Sequence, residues 1–154
     1  MGKVDEIFLN LISELSLLLD CPPPDRDADR EITSVRVIVD GTAFLISRQD
    51  TPAGLFTIHC SFGSLADDAS TAELLRILRK NTELASRCAG TLGVDGASRH
   101  VIYSCFAALR GMTASQLLQG LHQCAGMARS WRETIELAVP HTPDQPLHAA
   151  SSFV

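Results

Sequence analysis

The spacing of apolar residues changes several times along this chain, and each change predicts a new element. Over Val4 to Leu19 they recur every three or four positions, which predicts an amphipathic first helix. Pro22-Pro23-Pro24 ends this helix, since proline lacks the amide proton that a helix needs. The charged stretch from Asp25 to Glu31 then predicts a solvated loop.

Alternating apolar residues predict three strands in the next part of the chain. The predicted strands are Thr33 to Val39, Thr42 to Arg48 and Leu55 to Phe62. Asp40-Gly41 is a dipeptide typical of a two-residue hairpin turn. Because short loops join the strands, an antiparallel meander is the expected topology.

A second helix and a hairpin follow. Ser70 and Glu73 have the spacing of a capping box, which predicts a helix start. Small residues from Cys88 to Val94 and a turn at Asp95-Gly96 predict a hairpin whose return strand spans Arg99 to Phe106. The first strand of this hairpin contains glycines, so we expect another backbone to approach it closely.

The last helix is predicted from Thr113, which has a second capping-box spacing with Gln116, to Pro140. Gly120 and Gly126 within it suggest close packing against a neighbour. The sequence therefore predicts a compact α+β domain over residues 1–139: helix, three-stranded antiparallel meander, helix, β-hairpin, helix. We expect residues 140–154 to form a flexible C-terminal tail.

Composition narrows the possible functions. The net charge of −5 and the pI of about 5.4 argue against binding to nucleic acid or to an anionic membrane surface. The first apolar stretch is interrupted by polar residues, so neither a signal peptide nor a membrane span is predicted. Five dispersed cysteines are typical of reduced thiols, and we expect a cytoplasmic protein.

Candidate catalytic chemistry is sparse. His59 and Cys60 are adjacent, but neighbours in a strand point to opposite faces, so they are not expected to act as a pair. Cys60 shares its face with apolar residues, which predicts a buried thiol with a raised pKa. The chain has no HExxH or CxxC spacing and no phosphate-binding glycine loop. We expect no catalytic residue, metal or cofactor, with a thiol enzyme as the alternative.

The second strand is apolar on both faces: Phe44 and Ile46 alternate with Ala43 and Leu45. Either the last helix covers this surplus of apolar surface, or part of it stays exposed for a partner.

Three stretches of the sequence match a known family: Ile38 to Gly41 leading into Phe44 to Ile46, Glu73 to Leu78 leading on to Gly90 to Asp95, and Trp131-Arg132-Glu133 in the last helix. In these stretches the sequence resembles the class I chaperones of bacterial type III secretion systems, the Tir-chaperone-like family. The resemblance extends from Val4 to Leu137.

The resemblance implies a homodimer without enzymatic activity that binds the N-terminal segment of an effector in extended form. Such a chaperone keeps the effector soluble and secretion-competent and targets it to the secretion apparatus, with a secretion ATPase as a further partner. The implied effector-binding residues are Phe8, Ile12, Val35, Val37, Phe44 and Ile46. The implied dimer interface contains Leu74, Leu78, Gly90, Leu92 and Val94. On this interpretation, Phe44→Asp leaves the dimer folded and abolishes effector capture.

A second hypothesis is a small α+β dimeric interaction or regulatory adaptor domain without a role in secretion. The identity of a captured partner distinguishes it from a secretion chaperone.

Overall fold

A computed structural model of the chain describes residues 3–24, 33–49 and 54–135. The elements are α1 (Lys3–Leu18), β1 (Ser34–Val39), β2 (Thr42–Arg48), β3 (Leu55–Ser64), α2 (Thr71–Ser86), β4 (Thr91–Val94), β5 (His100–Ala108) and α3 (Ala114–Ile135). The predicted order of elements is confirmed. The tail expected over residues 140–154 lies outside the described residues.

The five strands form one antiparallel sheet in the order β1-β2-β3-β5-β4. The first three strands are the predicted meander. Asp40 and Gly41 both have positive φ, 49° and 70°, which is the backbone of the tight turn expected between β1 and β2. β1 and β4 are the two edges of the sheet.

One face of the sheet packs against α1 and α3 and forms the hydrophobic core; we call it the core face. Phe8, Ile12 and Leu15 of α1 and Leu117, Leu121 and Ala128 of α3 are buried on it. The buried strand residues of the core face are Val35, Val37, Val39, Thr42, Phe44, Ile46, Phe56, Ile58, Cys60, Phe62, Leu92, Val101 and Tyr103.

The alternate strand positions point the other way, and we call this side the open face. Its residues are Ser34, Arg36, Ile38, Ala43, Leu45, Ser47, Leu55, Thr57, His59, Ser61, Thr91, Gly93, His100, Ile102, Ser104, Phe106 and Ala108. Within the described ranges no helix covers the outer parts of this face, where Arg36, Ile38 and Phe106 are exposed.

α2 packs beside β4. It begins with the predicted capping box: the Ser70 side chain accepts from the Glu73 amide, and the Glu73 carboxylate accepts from the Ser70 amide. Farther along α2, Asn81 Oδ1 accepts the Leu92 amide proton at 3.0 Å. The edge strand β4 is therefore joined to a helix by a side-chain hydrogen bond.

The close approach predicted for the glycine-containing strand is confirmed at Gly90. Its φ is +109°, and a Cβ there would lie 2.6 Å from the Ser104 carbonyl oxygen. Tyr103 donates its hydroxyl proton to the neighbouring Ala89 carbonyl. At Gly93 no described atom lies within 4 Å of a Cβ position, so the expectation does not hold there.

α3 begins with the second predicted capping box, in which Thr113 and Gln116 exchange hydrogen bonds of 3.0 and 3.2 Å. No close packing at Gly120 or Gly126 is found within the described part of one chain, since a Cβ at either would meet no atom within 4 Å. Close packing in α3 instead involves alanines, because Ala125 and Ala128 are fully buried.

Candidate partner-binding surfaces

All six residues expected to contact an effector lie in the core of this chain. Their exposed fractions range from 0% to 7%. The residues are Phe8, Ile12, Val35, Val37, Phe44 and Ile46. Within one chain they form no exposed apolar patch, because α1 and α3 cover the core face that the strand residues among them share. Their contact with an effector stays a prediction, without an exposed side chain to support it.

The register explains why these side chains are buried together. Val35 lies opposite Ile46 and Val37 lies opposite Phe44, so all four project from the same face. One explanation offered for the apolar residues of β2 was that the last helix covers them. On the core face this explanation holds, because α3 packs there together with α1.

The same elements keep other apolar side chains accessible. Ile38 on β1 is 53% exposed, and Leu17 at the end of α1 is 74% exposed. On β5, Phe106 is 69% exposed, whereas Phe8, Phe44, Phe56 and Phe62 are almost completely buried. Accessible apolar surface thus exists in the region where a partner was expected, on different residues.

The two edges of the sheet differ in what covers them. β4 is four residues long, packs against α2 and has the Leu92 amide bonded to Asn81. β1 is six residues long, and β2 is its sole neighbour within the described sheet. An extended segment of another protein pairs with an edge of this kind by main-chain hydrogen bonds.

The five residues expected at a dimer interface divide into two groups. Leu74, Leu78 and Val94 are 43%, 60% and 42% exposed. Leu92 is buried and Gly90 is enclosed by Ser104 and Tyr103. The exposed residues are available to a second copy, while Gly90 and Leu92 serve the fold of the monomer.

Helical periodicity on α2 reveals a stripe that the sequence analysis did not separate from the core positions. The helix buries Ile77 and Leu84 but exposes residues that follow one another at steps of four, three, four and three. These residues, the α2 stripe, are Thr71, Leu75, Leu78, Thr82 and Ala85. This spacing is that of a helix–helix seam.

A shallow groove of about 540 Å³ lies between the end of α1 and the first half of α3. It is lined by Leu18, Ser115, Leu118, Gln119, His122 and Gln123. The Nδ1 atom of His122 lies 2.7 Å from Asp40 Oδ2, which links this wall to the β1–β2 turn. The lining has no carboxylate and no thiol, so it offers a binding surface rather than a reactive centre.

The candidate nucleophile has the environment of an inert thiol. Cys60 is fully buried, and burial raises the pKa of its thiol well above the ordinary range. Burial also raises the pKa of Cys124, to about 11, and that of Cys105. Thiolate, the reactive form, is therefore scarce at neutral pH for these three residues.

His59 lies on the open face, opposite in direction to Cys60 as the strand alternation predicted. Its Nδ1 atom is 2.8 Å from Ser104 Oγ, and burial lowers the pKa of the imidazole. The described ranges contain no group of three or more His, Cys, Asp or Glu side chains able to hold a metal ion. None of the helices described is long and apolar enough to cross a membrane.

This arrangement defines a class of fold that solved structures share. A chain of the ExsC–ExsE complex matches with a TM-score of 0.71 and 12% identity over 93% of this chain and 100% of that chain. A chain of the HopA1–SchA chaperone–effector complex matches with a TM-score of 0.67 and 16% identity over 86% of this chain and 98% of that chain. The Yersinia pestis type III secretion chaperone SycH in complex with a YscM2 fragment matches with a TM-score of 0.60 and 16% identity over 80% of this chain and 98% of that chain.

The chain belongs to the Tir chaperone protein (CesT) family, whose model matches residues 10–132. The resemblance to class I chaperones of type III secretion is thereby confirmed, as is the α+β fold. The protein is a type III secretion chaperone, a member of a family of chaperones rather than of enzymes. Comparison with curated protein sequences finds no match.

Proposed function

We propose that this chain acts in the bacterial cytoplasm as a homodimeric chaperone that binds the N-terminal segment of an effector in extended form. Binding keeps that segment soluble and secretion-competent and brings it to the secretion apparatus, with the secretion ATPase as a further contact. The observation that carries the proposal is the family match over residues 10–132. The proposal assigns the chain no catalytic step.

The effector segment is proposed to add to the sheet at β1. This edge has six residues and alternates buried valines with the more exposed Ser34, Arg36 and Ile38. Main-chain hydrogen bonds from an added strand supply affinity whatever the sequence of the segment, and Ile38 offers an apolar contact beside it. The other edge is the weaker candidate because Asn81 already accepts the Leu92 amide proton.

The dimer is proposed to form through the α2 stripe. Its central leucines, Leu75 and Leu78, are 46% and 60% exposed, and packing them against a second α2 removes this surface from water. Leu74 and Val94, from the interface expected by resemblance, lie in the same part of the monomer and are exposed too. Two-fold pairing of one stripe with its copy gives a closed dimer.

Affinity capture from the native host under secretion-inducing conditions tests the chaperone function. We expect one or a few partners, each lost when its first ~100 residues are deleted, since an extended segment of that order can wrap a domain. Partners that survive the deletion would instead support the regulatory-adaptor hypothesis. Recovery of no partner would contradict the chaperone proposal.

Amide hydrogen exchange tests the edge assignment. With the captured N-terminal segment bound, we expect exchange to slow at β1 amides and to stay unchanged at Leu92 in β4, which serves as an internal reference. Slower exchange at β4 with β1 unaffected would place the segment at the other edge and contradict the assignment.

Light scattering tests the dimer. Leu78→Asp should convert the protein to a monomer with its unfolding transition retained, because Leu78 contributes little to the core of one chain. Leu17→Asp is the matched control, since it also changes an exposed leucine but lies on α1. A dimer that survives Leu78→Asp would exclude the α2 stripe as the interface.

A further inference from the structure

The groove between α1 and α3 continues along α3 beyond the residues that line it. Its lining residues Ser115, Gln119 and His122 follow one another at steps of four and three. Because an α-helix has 3.6 residues per turn, the next position of this row is Gly126, which is exposed. A position without a side chain therefore extends the groove toward the end of α3, where the chain leads into residues 136–154.

The wall that α3 gives to this groove is neutral. Over residues 114–128 α3 contains no Lys, Arg, Asp or Glu, although such residues make up 20% of the chain. The Nδ1 atom of His122, the titratable side chain in the lining, lies 2.7 Å from Asp40 Oδ2. Leu18 is 50% exposed and Leu118 is half-buried, so both add apolar surface. Depletion of charge is typical of the buried centre of an interface, and this wall favours a neutral, apolar occupant.

Nothing in the described packing requires glycine at position 126. Gly126 does not have a positive φ, and a Cβ there would meet no described atom within 4 Å. Glycine in the interior of a helix is less stable than alanine, so Gly126 lowers the stability of α3 without a gain in the described packing. A backbone that lies directly on this position would make use of the missing side chain.

Residues 136–154 are long enough to reach the groove. From Ile135 back to Gln119, α3 covers about 24 Å at a rise of about 1.5 Å per residue. Prolines recur at every third position after the helix, a spacing that favours an extended polyproline II backbone. They are Pro140, Pro143 and Pro146. At about 3.1 Å per residue, residues 136–146 span roughly 34 Å in this conformation, which is enough to return along α3.

The last part of this segment also has a composition that suits the groove. Residues 147–154 contain no Lys, Arg, Asp or Glu, and they include the apolar Leu147, Phe153 and Val154. A neutral segment with apolar side chains complements a neutral wall with two accessible leucines. Because the segment is tethered to α3, its effective concentration at the groove is on the order of millimolar, so weak contacts are enough to hold it.

We propose that residues 147–154 dock in the groove between α1 and α3, with residues 136–146 running back along α3 over Gly126. The docked segment covers Leu18 and Leu118, so the chaperone closes one of its apolar surfaces with its own chain. This surface is separate from the β1 edge and from the α2 stripe. The alternative is the flexible C-terminal tail expected from the sequence.

Photo-crosslinking from the groove tests the occupant. In the purified full chain, Gln119→benzoylphenylalanine should crosslink to residues 147–154 of the same molecule. Trypsin leaves these residues in a single peptide, because no Lys or Arg follows Arg132, so the linked product is identified by mass spectrometry. Ala97→benzoylphenylalanine, exposed in the turn between β4 and β5, is the control and should not label that peptide.

A mixture of isotope-labelled and unlabelled protein distinguishes this chain from a second copy. The link should join peptides that carry the same label. Links between differently labelled peptides would identify a second copy as the occupant and overturn the proposal. Equal yields from Gln119 and Ala97, or no link from Gln119, would overturn it in favour of the flexible tail.

Thermal unfolding of the full chain gives an energetic test. Gly120→Ala is the matched control, since Gly120 is on the same helix, also has no described atom within 4 Å of a Cβ position, and does not belong to the row that lines the groove. It should raise the midpoint by about 3 °C, the gain of alanine over glycine in a helix. Gly126→Ala should give no such gain, because the added methyl group pushes the docked segment away.

Release of the segment should restore the gain at position 126. In a full chain with Leu147→Glu and Phe153→Glu, whose charges do not suit a neutral groove, Gly126→Ala should raise the midpoint as much as Gly120→Ala does. Equal gains from both glycines in the chain without these two changes would overturn the proposal. A missing gain at Gly126 that persists after release would overturn it too, since the segment would not be the cause.

Discussion

The two faces of the sheet are built from the same strands but differ in burial. On β2, Phe44 and Ile46 are 1% and 0% exposed, while their neighbours Ala43 and Leu45 on the open face are only partly covered. Both sets are apolar, so hydrophobicity alone did not decide burial. The difference comes from α1 and α3, which pack on one face. In a protein that binds partners, an apolar residue in a strand therefore does not show whether it packs in the core or lies on a surface available to a partner.

The largest difference in stability between the two faces is expected when the adjacent residues Phe44 and Leu45 are each replaced by alanine. Phe44→Ala should cost about 3–5 kcal/mol of unfolding free energy, because it opens a cavity in a packed core. Leu45→Ala should cost about 1 kcal/mol, because less apolar area is lost from a half-buried site. Denaturant unfolding measures both, and similar costs would show that the two faces are equally buried.

It follows that Phe44→Asp unfolds the chain rather than selectively abolishing effector capture. A charge at a fully enclosed site has no partner and no water. Circular dichroism of the variant distinguishes the two outcomes. A folded Phe44→Asp dimer that fails to capture its effector would restore the original expectation.

An intermediate effect is expected at the end of the core face, where Arg132 joins α3 to the sheet. Its Nε donates to the Phe62 carbonyl at 2.9 Å, and Nη2 donates to the Ser61 carbonyl at 3.2 Å and to Thr42 Oγ1 at 3.3 Å. Arg132→Leu should cost about 2–3 kcal/mol, because partly buried acceptors lose their donors.

Arg132→Lys separates charge from geometry at this position. It keeps the positive charge but has no planar fork able to reach the acceptors together, so thermal unfolding should show a loss close to that of Arg132→Leu. Full recovery of stability by lysine would show that charge alone matters.

The smallest effect concerns His59 on the open face. Because burial lowers its pKa, the unfolded chain binds a proton more readily than the folded chain below pH of about 6.5. Stability contributed by the neutral imidazole is present above that pH and is lost as the pH falls through the lowered value. Unfolding of His59→Asn should show a weaker pH dependence as the pH falls below about 6.5. An unchanged slope would contradict the assignment to His59.

Local signals in the sequence predicted the elements well. The capping boxes at Ser70 and Thr113 and the turn at Asp40-Gly41 require particular residues at short spacing, and the structure has all three. The close approach at Gly90 was likewise visible as a small residue in a strand. Such features depend on residues that are close together in the sequence, so the sequence alone can predict them.

Long-range choices were not readable in the same way. The alternation in β2 predicts two apolar faces but not which face a helix covers, so Phe44 was assigned to a binding surface that belongs to the core. On α2, the adjacent aliphatic residues Ile77 and Leu78 differ in burial: Ile77 is buried and Leu78 is exposed. Their separation depends on where β4 lies against the helix, which is a property of the tertiary fold.

The outer edge of β1, a strand that pairs with β2 alone within the described sheet, also bears on how the protein behaves without a partner. An unpaired strand presents amides and carbonyls that any other extended chain can join, including β1 of another copy. Arg36, exposed in the middle of this strand, opposes the antiparallel register that places it opposite its own copy, because that register would bring two guanidinium groups together. A single charged side chain thus helps to keep the empty chaperone from polymerising through the same edge that is proposed to receive its cargo.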